Sequence, residues 1–183
     1  KIDVIIIHNM TSNSAVMENS KLSTHTLSDK WVLWAHLPHV TDWSNKSYIP
    51  IQEISNIEEI VSLYNIIPEA MVKNCMLFLM RKNIFPSWED PKNRKGGCFS
   101  FKVNNKKVSE IWKKLSYSLL GETLSSNKTL MSKITGITIS PKKAFCIIKV
   151  WTTDLMYQNP NEMRNIEGLS THGCIFKRHK PEY

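Results

Sequence analysis

Short apolar segments along the chain predict strands. WVLWAHL (31–37) is aromatic and β-branched, CMLFLM (75–80) is continuously apolar, and GCFSFKV (97–103) alternates as a strand does. TGITIS (135–140) and FCIIKVWTT (145–153) have a similar character, and the PKKA between them predicts that they form a hairpin. These segments supply the strands of a sheet.

Two other segments repeat their apolar residues with helical spacing. SNIEEIVSLYNII (55–67) predicts a helix that begins with a capping box, in which Ser55 accepts from the amide of Glu58 and Glu58 reaches back. Pro68 ends this helix. SEIWKKLSYSLLG (109–121) carries a second apolar stripe and predicts a second helix. Because strands and helices mix without regular alternation, the sequence predicts an α+β fold, with an antiparallel sheet and helices on one face.

The composition predicts one globular domain. The chain has 183 residues, of which 42% are hydrophobic, enough for a sizeable core. Residues 1–24 are polar after a short Ile block and predict a partly disordered tail ahead of a folded domain over 25–183. No apolar run reaches membrane-spanning length, and the Ile block lacks a signal-peptide cleavage site. Four widely spaced cysteines without a CxxC pair favour a reducing, cytosolic setting over a disulfide framework or a zinc site.

The chain is strongly basic, with a net charge of +8 and a pI of about 9.3. Such a balance favours an anionic partner, most often nucleic acid or phosphate, although it also serves solubility alone. The lysines and arginines occur in clusters on several predicted elements, which indicates more than one positive patch. The clusters are Lys92, Arg94 and Lys95; Lys102, Lys106 and Lys107; Lys113 and Lys114; Lys142 and Lys143; and Lys177, Arg178 and Lys180.

Two of the six tryptophans lie where a core tryptophan is not expected. Trp31, Trp34 and Trp112 sit within strong apolar patterns and are predicted to be core residues. Trp43 lies in HVTDWSNKSYIP, which is polar on both sides, and Trp88 lies in the proline-bracketed stretch FPSWEDPKNRKGG. Two loop tryptophans in a basic protein predict a site where a nucleobase stacks.

Glu89, directly after Trp88, adds a base-recognition group to this prediction. A carboxylate only accepts hydrogen bonds, and its two oxygens can take two parallel ones. The Watson–Crick edge of guanine offers such a pair, N1–H and N2–H. A carboxylate beside a stacking indole therefore selects guanine over adenine, whereas Glu89 and Asp90 alone would be read as a solvated acidic turn.

With these residues in place, the sequence resembles the eukaryotic translation initiation factor 4E family, the messenger-RNA cap-binding proteins of translation. The most specific match is WEDPKNRKGG, which fits the pattern WEDxKNxxGG. The matching segments run in order over about residues 25–153. They are HTLSDKWVLW (25–34), Trp43 in its loop, SLYNII (62–67), IFPSWEDPKNRKGG (84–97), IWKKLSYSLLGE (111–122) and GITIS…VWTT (136–153).

The resemblance implies a curved antiparallel sheet of about eight strands, with about three helices on its convex face and a cap slot on its concave face. It also implies that the chain binds the 7-methylguanosine 5′ cap of mRNA and acts in translation initiation. Trp43 and Trp88 would stack on the two faces of the methylated base, Glu89 would bind the guanine edge, and Trp151 would contact the N7-methyl group.

The resemblance also implies a phosphate subsite, and here the chain departs from the family. Lys142 stands where the family places an arginine for the cap phosphates. Ile147 stands where the family has a phosphate-binding lysine, so that contact is missing. Lys143 in the same turn, or Lys149 on the strand face predicted to carry Trp151, is expected to compensate.

A second departure concerns the convex face, where the family binds the Tyr-x-x-x-x-Leu motif of the initiation scaffold and of its competing repressors. Val61 stands at the position of the anchoring tryptophan, and Lys113 and Lys114 replace an apolar residue and an acid. His25-Thr26 replaces the bordering His-Pro, and Tyr117 lies on the same predicted helix. Losing an indole anchor and reversing a charge predict weakened scaffold binding, or a dedicated and more acidic partner.

Two alternatives to an initiation role stay open at the level of sequence. One is a cap-binding repressor that does not recruit the usual scaffold. The other is an enzyme acting on capped nucleotides, such as a decapping hydrolase, but no acidic metal cluster or nucleophile–base pair is visible. His36 and His39 have no ligand partners at metal spacing and are predicted to be structural or surface residues. We therefore expect a binding protein without cofactor, membrane or DNA, in the cytoplasm, or in the host cytoplasm if the source is viral.

Overall fold

Seven strands pair antiparallel into one sheet in the computed structural model, which describes residues 24–182. The predicted tail, residues 1–24, lies outside the described residues except for Thr24. The order of strands across the sheet is β2-β1-β3-β5-β6-β4-β7. The strands are β1 (Thr26–His36), β2 (Ile49–Asn56), β3 (Met76–Arg81), β4 (Gly97–Asn104), β5 (Ile134–Pro141), β6 (Phe145–Thr152) and β7 (Ile175–Arg178).

Four α-helices accompany the sheet, together with two 3₁₀ turns at Asn45–Ser47 and Pro160–Glu162. The α+β class is confirmed, with seven strands and four helices in the described residues. The two predicted helices are present, and two short ones were not predicted. The helices are α1 (Ile57–Ile66), α2 (Glu69–Asn74), α3 (Val108–Leu120) and α4 (Lys128–Lys133).

The predicted capping box of α1 is wrong by one residue. Asn56 is the N-cap, and its side chain accepts from the Glu59 amide at 2.8 Å. The Glu59 carboxylate accepts in return from the amides of Asn56 and Ser55. Glu58 is not available for this role, because its carboxylate accepts from the backbone amide of His25 and contacts the His25 ring.

The two faces of the sheet bury different sets of side chains. The four helices cover one face and enclose the main hydrophobic core, to which Leu77 and Trp112 contribute. Phe78 follows Leu77 on β3, and its side chain, like that of Met80, points to the opposite face. There Phe78 and Met80 form a smaller apolar cluster with Trp151. We call this second face, which carries no helix in the described residues, the open face; it is where a ligand can reach the sheet.

The tryptophans predicted to be core residues divide between these faces. Trp31 and Trp112 are fully buried in the main core, as predicted. Trp34 instead lies on the open face, where its ring meets Phe85 edge-on with 5.5 Å between ring centroids. The difference follows from strand alternation, because residues three apart in a strand point to opposite faces. None of the helices described is long and apolar enough to cross a bilayer.

Candidate functional site

The loop between β3 and β4 that presents Trp88 and Glu89 is braced by two polar side chains. Asp90 accepts hydrogen bonds from the amides of Phe85 and Lys92, both at 2.8 Å. Asn93 is fully buried and donates its side-chain amide to the carbonyls of Phe85 and Ser87. Asp90 and Asn93 therefore organise the loop, and the adjacent Trp88 and Glu89 are left to face the cavity described below.

The glycine pair that ends this loop is required by close chain approach. A Cβ at Gly96 would overlap the backbone of Thr152, and one at Gly97 would overlap the ring of Phe176 and the backbone of Lys177. The pair therefore allows the end of β6 and the strand β7 to lie against the base of the Trp88 loop. This explains why the motif that begins with Trp88 ends in two glycines.

Trp43 is held at the surface by a buried imidazole. Its side chain is 54% exposed, and one face stacks on the His36 ring at 3.9 Å between centroids and 5° between planes. His36 donates from Nε2 to the Asp42 carbonyl at 2.9 Å, which fixes the plane of the stack. The Asp42 carboxylate accepts from the amide and hydroxyl of Ser44, and these hydrogen bonds lower the pKa of Asp42. His36 is thus a structural residue, as predicted.

The two loops meet at a cavity of about 340 Å³ on the open face. We call this cavity the slot. Its volume lies at the small end of the range for small-molecule sites, which suits a ligand the size of one nucleobase. Four of the residues predicted for base recognition line it together: Trp43, Trp88, Glu89 and Trp151. The lining is completed by Tyr48, Met76, Phe78, Pro86, Ser87, Lys149 and Glu182.

Strand β6 supplies the floor and one cation of the slot. Trp151 is buried, and its indole N–H donates to the Thr138 hydroxyl on the neighbouring strand at 3.2 Å. Lys149, two residues earlier on the same strand face, holds its ammonium 5.9 Å from the centroid of a Trp88 ring. The prediction that Lys149 and Trp151 share a face is confirmed.

The three predicted phosphate-binding lysines occupy different places. Lys149 lines both the slot and a larger neighbouring cavity. Lys142 lines the larger cavity but not the slot. Lys143 is exposed in the β5–β6 turn and lines neither. The structure therefore brings Lys149 and Lys142, but not Lys143, to the cavities on the open face.

Three residues of the slot region were not identified from the sequence. Tyr48 packs edge-on against His36 and Trp43, and burial, with a smaller effect of the Glu89 charge, raises its pKa to about 12, so its hydroxyl stays a neutral donor at pH 7. His179 stacks on Trp88 at 5.6 Å and meets Trp151 at 4.7 Å between ring centroids. Glu182 adds a second carboxylate to the slot. The C-terminal segment is therefore part of the site.

His179 is expected to make the folded state less stable as pH falls below the ordinary pKa of histidine, about 6.5. Its ring is buried, and burial disfavours the protonated, charged form. Burial therefore lowers the pKa of His179 from its ordinary value. As pH falls below that ordinary value, the unfolded chain takes up a proton that the folded chain does not, and the unfolding free energy falls. His179→Phe keeps a ring between the two indoles but removes this titration, so the variant should lose less stability over this range.

The measurement is the free energy of unfolding from urea titrations at several pH values. His172→Phe is the matched control, because it makes the same side-chain change at an exposed position. Equal slopes for the wild type and His179→Phe would contradict the assignment.

The residues predicted for partner binding lie on the helix-bearing side. His25 contacts Glu58 at 2.7 Å, and Val61, one turn further along α1, is 41% exposed. Tyr117 on α3 meets Tyr64 edge-on at 5.6 Å, and the ammonium of Lys113 lies 5.8 Å from the Tyr117 ring centroid.

Lys114 on α3 is paired, with Glu110 at 2.7 Å and Glu167 at 3.3 Å. Its charge is therefore partly neutralised within the chain. We call the set His25, Val61, Lys113, Lys114 and Tyr117 the helix surface. Lys113 is the cation of this surface for which no ion pair is found within residues 24–182.

Comparisons with known proteins agree with this architecture. The family model described as "Eukaryotic initiation factor 4E" matches residues 26–174. The solved structure of Ascaris suum eIF4E-3 with m7G cap is 26% identical, with a TM-score of 0.66 over 75% of this chain and 78% of that one. The structural match supports the fold described above, an antiparallel sheet with helices on one face.

The chain belongs to the eukaryotic initiation factor 4E family. Among curated proteins it is 31% identical to eukaryotic translation initiation factor 4E of Eremothecium gossypii over 70% of this chain and 62% of that protein. It is 28% identical to the eukaryotic translation initiation factor 4E homolog of Acanthamoeba polyphaga mimivirus over 68% of this chain and 54% of that protein. The chain thus spans less than two thirds of the length of these relatives.

Proposed function

We propose that the chain binds the 7-methylguanosine 5′ cap of mRNA and acts in translation initiation in the cytoplasm. The observation that carries this proposal is the slot, which combines three indoles, two carboxylates and a lysine in a volume suited to one base. Relatives that are named initiation factors, and a similar solved structure in complex with m7G cap, support it. The chain would act as a binding protein and not as an enzyme.

Each side chain of the slot has a separate role in this proposal. Trp43 and Trp88 stack on the base and stabilise the positive charge that N7-methylation gives it. Glu89 accepts from N1–H and N2–H of guanine, and these bonds are strong because the acceptor is charged. Trp151 forms the floor against the N7-methyl group. Lys149 and Lys142 neutralise the phosphates, and Lys143 reaches them only if the β5–β6 turn adjusts.

Retention on immobilised 7-methyl-GTP tests the binding role against the enzymatic alternative. We expect the chain to be retained and to elute with free 7-methyl-GTP, but not with GTP at the same concentration. Chromatography of the eluted nucleotide should recover it unchanged after prolonged incubation. Release of a hydrolysed nucleotide would favour the decapping alternative, and failure of retention would contradict cap binding itself.

We further propose that the helix surface binds a partner other than an ordinary Tyr-x-x-x-x-Leu scaffold, or binds that motif weakly. Val61 offers a small exposed side chain where a large anchor is expected, and Lys113 offers a positive charge. A partner with an acidic residue opposite Lys113 suits this surface better. Weak scaffold binding would also be consistent with a repressor that occupies caps without recruiting the initiation machinery.

Val61→Trp is expected to increase the affinity for a Tyr-x-x-x-x-Leu peptide by at least about 30-fold, because aromatic anchors at interfaces contribute about 2 kcal/mol or more. Fluorescence anisotropy with a labelled peptide measures this. Ile66→Trp is the matched control, since Ile66 is also exposed on α1 but lies outside the proposed surface. Micromolar binding by the unmodified chain would refute the proposal.

A further inference from the structure

A second cavity on the open face is more than twice as large as the slot. Its volume is about 820 Å³, against about 340 Å³ for the slot. Trp88 and Lys149 line both cavities, so the two are adjacent. We call the larger cavity the groove. It extends across β6, β4 and β7, which are neighbours in the sheet.

Among residues 24–182, the side chains that line the groove include cations and no carboxylate. Six basic side chains from three strands, the β5–β6 turn and the C-terminal segment line it: Lys102, Lys142, Lys149, Lys177, Arg178 and Lys180. Within residues 24–182, every ion pair found lies elsewhere, on side chains such as Arg81, Lys82 and Lys133. Like charges held together without counter-charges repel one another, so an external anion would stabilise this arrangement.

The floor of the groove is apolar and partly aromatic. Strand register places Ile147 beside Lys102, and Ser100 between Lys149 and Ile175. Ile175 is 56% exposed although it is large and apolar. Phe145 also lines the groove, and the Lys102 ammonium lies 4.5 Å from its ring centroid. Flat apolar surface between cations is the combination that binds single-stranded nucleic acid, where bases stack and phosphates pair with Lys or Arg.

We propose that the groove binds the first nucleotides of single-stranded RNA that follow the cap. The inference rests on the proposed function, because the cap in the slot would deliver those nucleotides at Trp88 and Lys149. A triphosphate alone would leave much of the groove and several of its cations unused. An acidic protein segment would neutralise the charges, but it would not explain why the groove adjoins the slot or why its floor between the cations is apolar.

Three ligands separate this proposal from cap binding: 7-methyl-GTP, a capped RNA of about ten nucleotides, and the same RNA without its cap. We expect the capped RNA to bind at least about 10-fold more tightly than 7-methyl-GTP at low salt. Its log–log dependence on salt should be steeper by about 0.7 for each additional phosphate contact.

Lys102→Ala and Ile175→Glu test the groove itself, because neither residue lines the slot. Both variants should bind 7-methyl-GTP as the wild type does, which also shows that they are folded. Lys102→Ala should reduce the salt slope for capped RNA by about 0.7, and Ile175→Glu should remove most of the advantage of RNA over 7-methyl-GTP. Lys128→Ala is the matched control, since Lys128 is exposed on α4 outside the groove and should change nothing.

The outcomes are distinguishable from failure of the proposed function. If 7-methyl-GTP does not bind but RNA binds in a Lys102-dependent manner, the cap proposal fails and the groove is a single-stranded RNA site that does not depend on a cap. If capped RNA and 7-methyl-GTP bind with equal affinity and salt slope, the groove proposal is overturned and cap binding stands. If polyglutamate displaced capped RNA as effectively as uncapped RNA of equal charge does, the groove proposal would also be overturned. The groove would then be assigned to an acidic protein partner.

Discussion

Trp88→Ala is expected to weaken binding of 7-methyl-GTP by about 100-fold, and Trp43→Ala by a similar factor. A cation–π contact in a desolvated slot contributes about 2 kcal/mol, and stacking on a base adds at least about 1 kcal/mol, so their sum corresponds to about two orders of magnitude. Trp88 is only half-buried, and its loop is braced by Asp90 and Asn93, so the substitution should remove the ring without unfolding the loop. Isothermal titration calorimetry provides the affinities.

A conservative variant shows whether the ring itself is responsible. Trp88→Phe keeps an aromatic face with a weaker cation–π capacity, so its affinity should lie between those of the wild type and Trp88→Ala. Trp34→Phe, on the same face of the sheet but outside the slot lining, should bind normally. An alanine variant at either position 43 or 88 that binds as tightly as the wild type would contradict the stacking role.

Glu89→Ala is expected to lower the affinity for 7-methyl-GTP by at least about 30-fold, because truncating one partner of a charged, desolvated hydrogen-bonded pair costs about 2 kcal/mol or more. Glu89→Gln should be nearly as damaging, since the amide retains one acceptor and presents a donor to the guanine donors. The same calorimetric titration measures both.

Glu182→Gln is the matched control for charge in the slot. It removes the other carboxylate that lines the cavity, on the exposed C-terminal segment. We expect its affinity for 7-methyl-GTP to stay within about threefold of the wild type. If Glu182→Gln were as damaging as Glu89→Gln, the guanine edge would have to be assigned to Glu182 instead.

The regular elements with strong periodicity could be predicted from sequence, whereas strands β2 and β7 were not predicted. The apolar stripe of α3 and the hairpin of β5 and β6 lie where the pattern places them. The short helices α2 and α4 have six residues each, too few to establish a helical period. The capping box moved by one residue because two adjacent glutamates could serve, and a contact with distant His25 decided between them.

The site shows the same division between local and distant determinants. Trp43, Trp88 and Glu89 stand out because large or charged residues in polar loops have no packing explanation. His179, which packs on Trp88 and Trp151, and Glu182, which lines the slot, could not be found this way. They come near the site only through the pairing of β7 with β4 and the close approach allowed by Gly96 and Gly97. That pairing joins segments distant in the sequence, so local sequence patterns do not predict it.

The most direct test compares 7-methyl-GTP with unmethylated GTP by quenching of tryptophan fluorescence. The two ligands differ by one methyl group and the positive charge it creates on the base. With about 1–2 kcal/mol for each of two indole faces, the methylated nucleotide should bind about 100-fold more tightly and quench the emission of Trp43 and Trp88. Affinities within about threefold of one another, or no quenching by 7-methyl-GTP, would contradict the account.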